Sequence, residues 1–167
     1  MMQASYSKPA VLFVCLGNIC RSPMAEGAFR ELARRAGLDC SVDSVGTAGY
    51  HIGEPPDPRA IATARANGVD ISGLAGRQLC AQDFDQFSHI FALDKANMEG
   101  IKARAPRKAP AHIAMLLDGL DGYRGQAVPD PYYGDDAGFV ECWQVITAAT
   151  SALVAEFARS GVEARFR

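Results

Sequence analysis

Short apolar segments alternate along the chain with segments whose apolar residues recur at helical spacing. Residues 9–14 (Pro-Ala-Val-Leu-Phe-Val) form a continuous apolar run, which is typical of a strand buried on both faces of a parallel sheet. Three later apolar segments are likewise each followed by a helical pattern. We predict β-strands at residues 10–15, 41–46, 88–93 and 112–117.

The helical segments have recognisable start residues. Ser22 and Pro23 predict the N-cap and first residue of the first helix, and Asp135 and Asp136 predict the caps of the last one. We predict helices at residues 22–36, 57–67, 81–87, 94–104 and 138–159. Alternating strands and helices indicate an α/β fold: one four-stranded parallel sheet with helices on both faces, Rossmann-like or flavodoxin-like.

Length and composition fit one globular domain. The 167 residues are 49% hydrophobic and 22% charged, and no apolar run is long enough to predict a membrane span. We expect a domain at residues 9–160, a flexible N-terminal arm at 1–8 and a C-terminal tail at 161–167.

Charge and cysteine content narrow the function classes. A net charge of -2, without a basic stripe, argues against nucleic-acid binding. Five cysteines without paired spacing favour reduced thiols over a disulfide framework, which indicates a cytoplasmic protein. No Cys and His cluster has zinc-site spacing, so we expect no bound metal. Because no apolar run is long enough for a membrane span, we also expect no membrane partner.

Residues 15–22 (Cys-Leu-Gly-Asn-Ile-Cys-Arg-Ser), here called the phosphate loop, are the strongest candidate for chemistry. Cys15 ends the first predicted strand, and Arg21 follows where the first helix begins. Unpaired N–H groups and the dipole at a helix N-terminus favour an oxyanion above the cysteine. Gly17 and Asn18 suit the unusual backbone angles of a tight turn. The alternative is a buried, inert cysteine at a strand end.

Residues 14–26 (Val-Cys-Leu-Gly-Asn-Ile-Cys-Arg-Ser-Pro-Met-Ala-Glu) resemble the signature of the low-molecular-weight protein tyrosine phosphatases. The resemblance continues at residues 44–50, 55–59, 77–79 and 130–134, and covers about residues 10–160. It implies hydrolysis of phosphotyrosine in proteins, and of small aryl phosphates, through a cysteinyl-phosphate intermediate. It also implies inhibition by phosphate-like oxyanions and no cofactor.

A long irregular segment at residues 118–136 is the second candidate, because such loops are usually kept for function. Within it Asp130 lies between two prolines and before two tyrosines. An aspartate before proline is by itself more often a turn residue. Resemblance to the Asp-Pro-Tyr motif of the family makes Asp130 the general acid, Cys15 the nucleophile and Arg21 the phosphate ligand.

Other residues take supporting roles by the same resemblance. Asn18 organises the loop, with a plain turn residue as the alternative, and the Ser22 hydroxyl steadies the thiolate. In this family a histidine often follows the Ser-Gly of residues 72–73, but here Leu74 does, so its hydrogen bond is absent and Ser44 or water is left to compensate. The residues expected to bind substrate are Leu16, Gly17, Asn18, Ile19, Cys20, Ser22, Tyr50, Tyr132 and Tyr133.

Several alternatives remain open. Cys20 is either a redox partner that protects Cys15 from overoxidation or a small core residue. Family members with Thr at position 19 look suited to phosphoarginine, which makes Ile19 evidence against an arginine phosphatase. Arsenate reductases of this fold need a later cysteine pair, but Cys80 stands alone. A silent phosphate-binding module is the last alternative.

The remaining histidines and cysteines receive no chemical role. The histidines are interpreted as surface or core residues, and the other cysteines as structural: His51, His89, His112, Cys40, Cys80 and Cys142.

Overall fold

The computed structural model describes residues 8–164, with side chains up to residue 160. Four parallel strands form one sheet in the order β2-β1-β3-β4. The expected four-stranded parallel sheet is therefore confirmed. Residues 1–7 of the expected arm and 165–167 of the expected tail lie outside the described residues. The strands are β1 (Ala10–Cys15), β2 (Ser41–Gly46), β3 (His89–Ala92) and β4 (His112–Met115).

Five α-helices and one 3-10 turn connect the strands within the described residues. Each helix lies close to its predicted position, because apolar periodicity and cap residues mark it in the sequence. The helices are α1 (Arg21–Arg35), α2 (Pro58–Ala66), α3 (Asp83–Gln86), α4 (Lys95–Arg104) and α5 (Asp136–Ala164), and the 3-10 turn is Leu116–Gly119.

The sheet separates two apolar layers. Successive side chains of a strand point to opposite faces, and in β1 Val11 and Phe13 belong to the layer that includes residues of α1 and α5. Leu12 and Val14 belong to the other layer, with residues of α3 and α4. All four are completely buried, as the continuous apolar run predicts for a central strand.

The end of β4 differs from the prediction. The predicted strand runs to residue 117, but the chain leaves the sheet after Met115 and forms a 3-10 turn. Leu116 and Leu117 are both buried in the layer with α1 and α5. A strand would send two consecutive side chains to opposite faces, so the turn is what lets both leucines join one layer.

The start of α1 also differs. Ser22 is not its N-cap: the helix begins at Arg21, the N-cap position is Cys20, and no side chain caps it. Asp135, in contrast, accepts a hydrogen bond from the Gly138 N–H at the start of α5, as a cap residue does.

Helix α5 is longer than predicted and extends to Ala164, into the expected tail. Within Asp136–Ser160, a stretch of 18 residues has a mean hydropathy of 1.3, which by length and composition alone is enough to cross a membrane. Its aromatic face is nevertheless buried: Phe139, Trp143 and Phe157 pack in the core. The core of this domain accounts for the apolar character of the helix.

A partly buried histidine makes the stability of this domain sensitive to pH. Burial, with a smaller contribution from His112, lowers the pKa of His89 to about 4. Its Nδ1 lies 2.8 Å from the Ser88 Oγ, and its ring packs 4.7 Å from that of Phe157. The folded state holds His89 neutral, whereas the unfolded chain protonates it below about pH 6.5.

We therefore expect the free energy of unfolding to fall between pH 7 and pH 5. Replacing His89 with Gln should reduce that fall by about 1 to 2 kcal/mol, because the variant has no group to protonate there. Urea unfolding of both proteins at the two pH values measures the difference. An equal fall in both proteins would contradict this origin.

Candidate active site

The phosphate loop places Cys15 at the carboxyl end of the central strand. The Cys15 side chain is 3% exposed, and its Sγ lies 2.9 Å from the Ser22 Oγ in the first turn of α1. Ligands of open parallel sheets bind at this edge, and the loops that follow β2 and β3 begin at the same edge. The sheet thus fixes one sulfur atom below the start of a helix.

Asn18 holds the loop in its shape. It has a φ of +58°, as expected for an Asn in a tight turn, and it is buried. Its Nδ2 donates to the Ser22 Oγ (2.8 Å) and the Ser44 Oγ (3.0 Å), and its Oδ1 accepts from the Arg77 N–H (3.0 Å). One amide therefore ties the phosphate loop to α1, β2 and the segment after α2.

The hydrogen bonds around Asn18 have a direction. Ser44 accepts from Asn18 and donates to the Glu26 Oε1 at 2.7 Å. Burial raises the pKa of Glu26, although hydrogen bonds from Ser44 and Arg30 oppose that shift. Ser22 also accepts from Asn18, so its own hydroxyl proton can go to the Cys15 Sγ at 2.9 Å or to the more distant Val45 carbonyl at 3.4 Å. A thiolate at Cys15 would receive that hydrogen bond.

Arg21 is a buried cation with partners on three sides. Its side chain is 4% exposed. Its Nη1 donates to the Asp94 Oδ2 (2.8 Å) and to the Val128 carbonyl (2.9 Å), and its Nη2 lies 3.6 Å from the Asp130 Oδ2. Asp94 also caps α4 through the Asn97 N–H. These contacts fix the guanidinium beside Cys15.

Residues 129–135, here called the acid loop, carry the second carboxylate. The Asp130 Oδ1 accepts from the Tyr132 N–H at 3.1 Å, and the side chain is 39% exposed. Tyr132 and Tyr133 pack edge to face with ring centroids 4.9 Å apart. A carboxyl group beside an aromatic wall thus stands at the same site as Arg21.

One cavity of about 180 Å³ joins the phosphate loop and the acid loop. Its floor is polar and its upper walls are apolar or aromatic, a shape that suits a flat ring carrying an anionic group. Tyr50 and Tyr133 are largely exposed at its rim. The lining residues are Cys15, Leu16, Gly17, Ile19, Cys20, Arg21, Tyr50, His51, Asp130, Tyr132 and Tyr133.

The two other buried cysteines differ from Cys15 in their surroundings. Burial raises the pKa of the Cys20 thiol strongly, and the nearby Asp57 carboxylate raises it further. Burial also raises the pKa of Cys142 to about 12. Both are protonated thiols at neutral pH, which argues against either of them as the nucleophile.

Comparisons with known proteins agree with this geometry. The sequence profile of the low molecular weight phosphotyrosine protein phosphatases matches residues 10–163. The chain belongs to this family. The low molecular weight protein-tyrosine-phosphatase YfkJ of Bacillus subtilis is 43% identical over 148 residues, which are 87% of this chain and 94% of that protein.

Solved structures of relatives have the same fold. The crystal structure of YfkJ has a TM-score of 0.86 and covers 94% of this chain and 99% of that one, at 40% identity. The structure of a protein tyrosine phosphatase from Entamoeba histolytica with Hepes in its active site has a TM-score of 0.86 at 32% sequence identity. This match covers 91% of this chain and 98% of that one. The structure of Vibrio vulnificus Wzb in complex with benzylphosphonate has a TM-score of 0.79 at 30% sequence identity, and the match covers 89% of this chain and 99% of that one.

The departure from the family at Leu74 leaves the phosphate loop well supported. Leu74 packs against the apolar core and offers no hydrogen bond to the loop. Asn18 instead binds Ser22, Ser44 and the Arg77 N–H. The Ser44 hydroxyl makes one of these bonds.

Two other side chains lie in irregular segments near the surface. His51 is 28% exposed and lines the cavity beside Gly17, with its Nδ1 2.6 Å from the Glu54 Oε2. Cys80 is exposed. The irregular segments around both give no apolar period, so the sequence offers no measure of their burial.

Reasoning from sequence missed two parts of this phosphatase site. Glu26 has no role assigned from the sequence, yet it is 2% exposed and accepts the hydrogen bond of the Ser44 hydroxyl. The Val128 carbonyl, which receives the Arg21 guanidinium, has no side-chain signal at all. A glutamate on the buried face of an amphipathic helix was the available sign for Glu26.

The role of Asn18 can be tested with two substitutions. Asn18→Gly keeps the positive φ accessible but removes the three hydrogen bonds, whereas Asn18→Ala also adds about 1 kcal/mol of backbone strain. We expect both variants to lose about 10-fold or more of kcat/KM for an aryl phosphate, because a slightly misplaced loop costs rate steeply. The Asn18→Ala variant should have a lower thermal unfolding temperature than the Asn18→Gly variant. An Asn18→Gly enzyme with unchanged kinetics would contradict the role of the amide.

Proposed function

We propose that this protein hydrolyses phosphotyrosine by a double displacement at Cys15, with Arg21 and Asp130 as the other catalytic residues. The observation that carries the proposal is the shared cavity: a sulfur nucleophile, a fixed guanidinium and a carboxyl group all line it. None of these roles needs a metal, since the phosphoryl charge meets Arg21 and the loop N–H groups.

In the first step the Cys15 thiolate attacks phosphorus, and the bond from phosphorus to the phenolic oxygen breaks. The Ser22 hydroxyl, 2.9 Å from the sulfur, stabilises the thiolate before attack and again when it leaves in the second step. The positive end of α1, whose N-terminus carries no side-chain cap, stabilises the same negative charge.

Arg21 binds two oxygens of the phosphoryl group in the transition state. Its Nη1 is committed to Asp94 and the Val128 carbonyl, which fixes the plane of the guanidinium. A fixed donor does not have to reorganise as charge develops on the phosphoryl oxygens, and this preorganisation lowers the barrier.

Asp130 donates a proton to the departing phenolate and then takes one from the water that hydrolyses the cysteinyl phosphate. The bond that breaks in the second step joins sulfur to phosphorus, and inorganic phosphate leaves. Because the acid must be protonated while Cys15 is ionised, we expect the rate to rise and then fall with increasing pH.

The walls of the cavity favour an aryl phosphate. Ile19, Tyr50 and Tyr132 offer apolar surfaces to a phenyl ring, and a phenolate leaves more readily than the alkoxide of phosphoserine. The substrates would be phosphotyrosine-containing proteins and small aryl phosphates. The benzylphosphonate bound to Wzb supports inhibition of this chain by phosphate-like oxyanions.

Cellular setting and redox chemistry are also proposals. The described cysteines are all free, which supports a cytoplasmic enzyme.

We propose that a peroxide converts Cys15 to a sulfenic acid and that Cys20 then displaces water from it to form a disulfide, which a cellular thiol reduces. Cys20 lies in the same loop as Cys15 and lines the same cavity, which supports this pairing, while the burial that raises the pKa of its thiol slows the attack.

The assignment of nucleophile and acid is tested by single substitutions. We expect Cys15→Ser to have no measurable turnover and Asp130→Ala to lose about 100-fold or more of kcat on phosphotyrosine. Asp135→Ala is the matched control, because that nearby carboxylate caps α5 and does not line the cavity. Full activity of Cys15→Ser would overturn the mechanism, and binding without turnover by the unaltered protein would favour a silent phosphate-binding module.

The choice between phosphotyrosine and phosphoarginine is tested at Ile19. We expect the unaltered enzyme to prefer a phosphotyrosine peptide over a phosphoarginine peptide, and Ile19→Thr to shift the ratio of kcat/KM toward phosphoarginine by about 10-fold, since a methyl-sized change in a pocket is worth 1 to 3 kcal/mol. Ile19→Val keeps an apolar branched side chain and serves as the control. A preference for phosphoarginine in the unaltered enzyme would make it an arginine phosphatase.

A further inference from the structure

The acid loop needs an external support to hold its carboxyl group at the cavity. The Asp130 side chain is 39% exposed, its hydrogen bond from the Tyr132 N–H lies within the same loop, and its contact with the Arg21 Nη2 is long, at 3.6 Å. The loop is rich in proline, glycine and aspartate and has no helix or strand of its own. The position of the proton donor above Cys15 therefore depends on where the loop backbone is anchored.

One end of a possible anchor is bound to the phosphate loop. The Asp57 N–H donates to the Ile19 carbonyl at 2.8 Å, and the Asp57 side chain, 10% exposed, caps α2 through the Arg59 N–H. The start of α2 is thereby fixed to the loop that carries the nucleophile. Arg59 stands in the first turn of that helix.

Arg59 reaches from this point to the acid loop. Its Nε and Nη2 donate to the two carboxylate oxygens of Asp57 at 3.1 and 3.0 Å, which sets the plane of the guanidinium. Its Nη2 also donates to the Tyr132 carbonyl (3.0 Å), and its Nη1 donates to the Gly134 carbonyl (3.2 Å). Four of the five N–H groups of Arg59 are used in these bonds.

The flat faces of the guanidinium are covered as well. Its central carbon lies 4.5 Å from the ring centroid of Phe139, a fully buried residue of α5, and 5.6 Å from that of Tyr132. Arginine stacks on aromatic rings in this way, whereas lysine lacks the planar group. The bridge is thus held by packing as well as by hydrogen bonds.

We propose that Arg59 is a positioning residue that couples the phosphate loop to the acid loop and so sets where Asp130 meets the leaving oxygen. The path runs from the Ile19 carbonyl through Asp57 and Arg59 to the carbonyls of Tyr132 and Gly134. Arg59 does not touch the reacting atoms. This proposal rests on the assignment of Asp130 as general acid.

A positioning role through Asp130 has a kinetic signature. Phosphotyrosine and phenyl phosphate release a phenolate as basic as tyrosine, with a pKa of about 10, and need a proton on departure. The phenolate of 2,4-dinitrophenyl phosphate leaves without one. A misplaced acid therefore slows the first two substrates and spares the third, whereas a damaged fold slows all three.

We expect Arg59→Ala to lose about 10-fold to 100-fold of kcat/KM on phosphotyrosine and phenyl phosphate but less than about threefold on 2,4-dinitrophenyl phosphate. Arg59→Lys should recover part of the loss, because one ammonium can reach a carbonyl but cannot form the paired bonds to Asp57. Arg65→Ala is the matched control: Arg65 stands on the same helix, is 64% exposed and lies 3.8 Å from Asp70, away from the acid loop.

A double-mutant cycle separates this proposal from the one that it rests on. In an Asp130→Ala background, Arg59→Ala should lower kcat/KM on phosphotyrosine by less than about a further twofold, because the carboxyl group that Arg59 positions is gone. Equal losses on all three substrates, or additive effects in the cycle, would overturn the positioning role. If Asp130→Ala itself spared phenyl phosphate, the general-acid assignment would fail instead. Should Arg59→Ala not fold, Arg59→Lys and Asp57→Asn give the same comparison.

Discussion

The buried guanidinium of Arg21 is the constraint on which the active site depends. A charged side chain that is 4% exposed costs several kcal/mol unless it is paired and hydrogen-bonded. The partners come from distant parts of the chain: Asp94 after β3, the Val128 carbonyl and Asp130. Satisfying one cation therefore brings the phosphate loop, the start of α4 and the acid loop to the same edge of the sheet.

The two carboxylates beside Arg21 have different roles. Asp94 is bound tightly at 2.8 Å and holds the cation in place, while Asp130 is more distant, at 3.6 Å, and half-exposed. An incoming phosphoryl group can thus take the free side of the guanidinium without releasing its anchor. The looser carboxylate is the one with access to solvent and to the leaving group, as a proton donor requires.

Two sets of polar contacts give the site its rigidity, one below the sulfur and one above it. Below, Asn18 accepts a strained backbone angle and ties Ser22 to Ser44 and Glu26. Above, Arg59 connects α2 to the acid loop. Leu74 offers no side-chain hydrogen bond to this lower set, and the Asn18 amide is bound by the Arg77 N–H and by two serine hydroxyls.

The sequence by itself determined the strands, most helix limits and the loop that carries Cys15, because apolar period and cap residues are local properties. It also indicated Asp130, through resemblance to the Asp-Pro-Tyr motif of the family. Only the tertiary structure decided that Ser22 does not cap α1, that Glu26 is buried and bound by Ser44, and that His51 lines the cavity. These outcomes depend on packing between segments far apart in the chain, and a carbonyl such as that of Val128 has no side chain to reveal it.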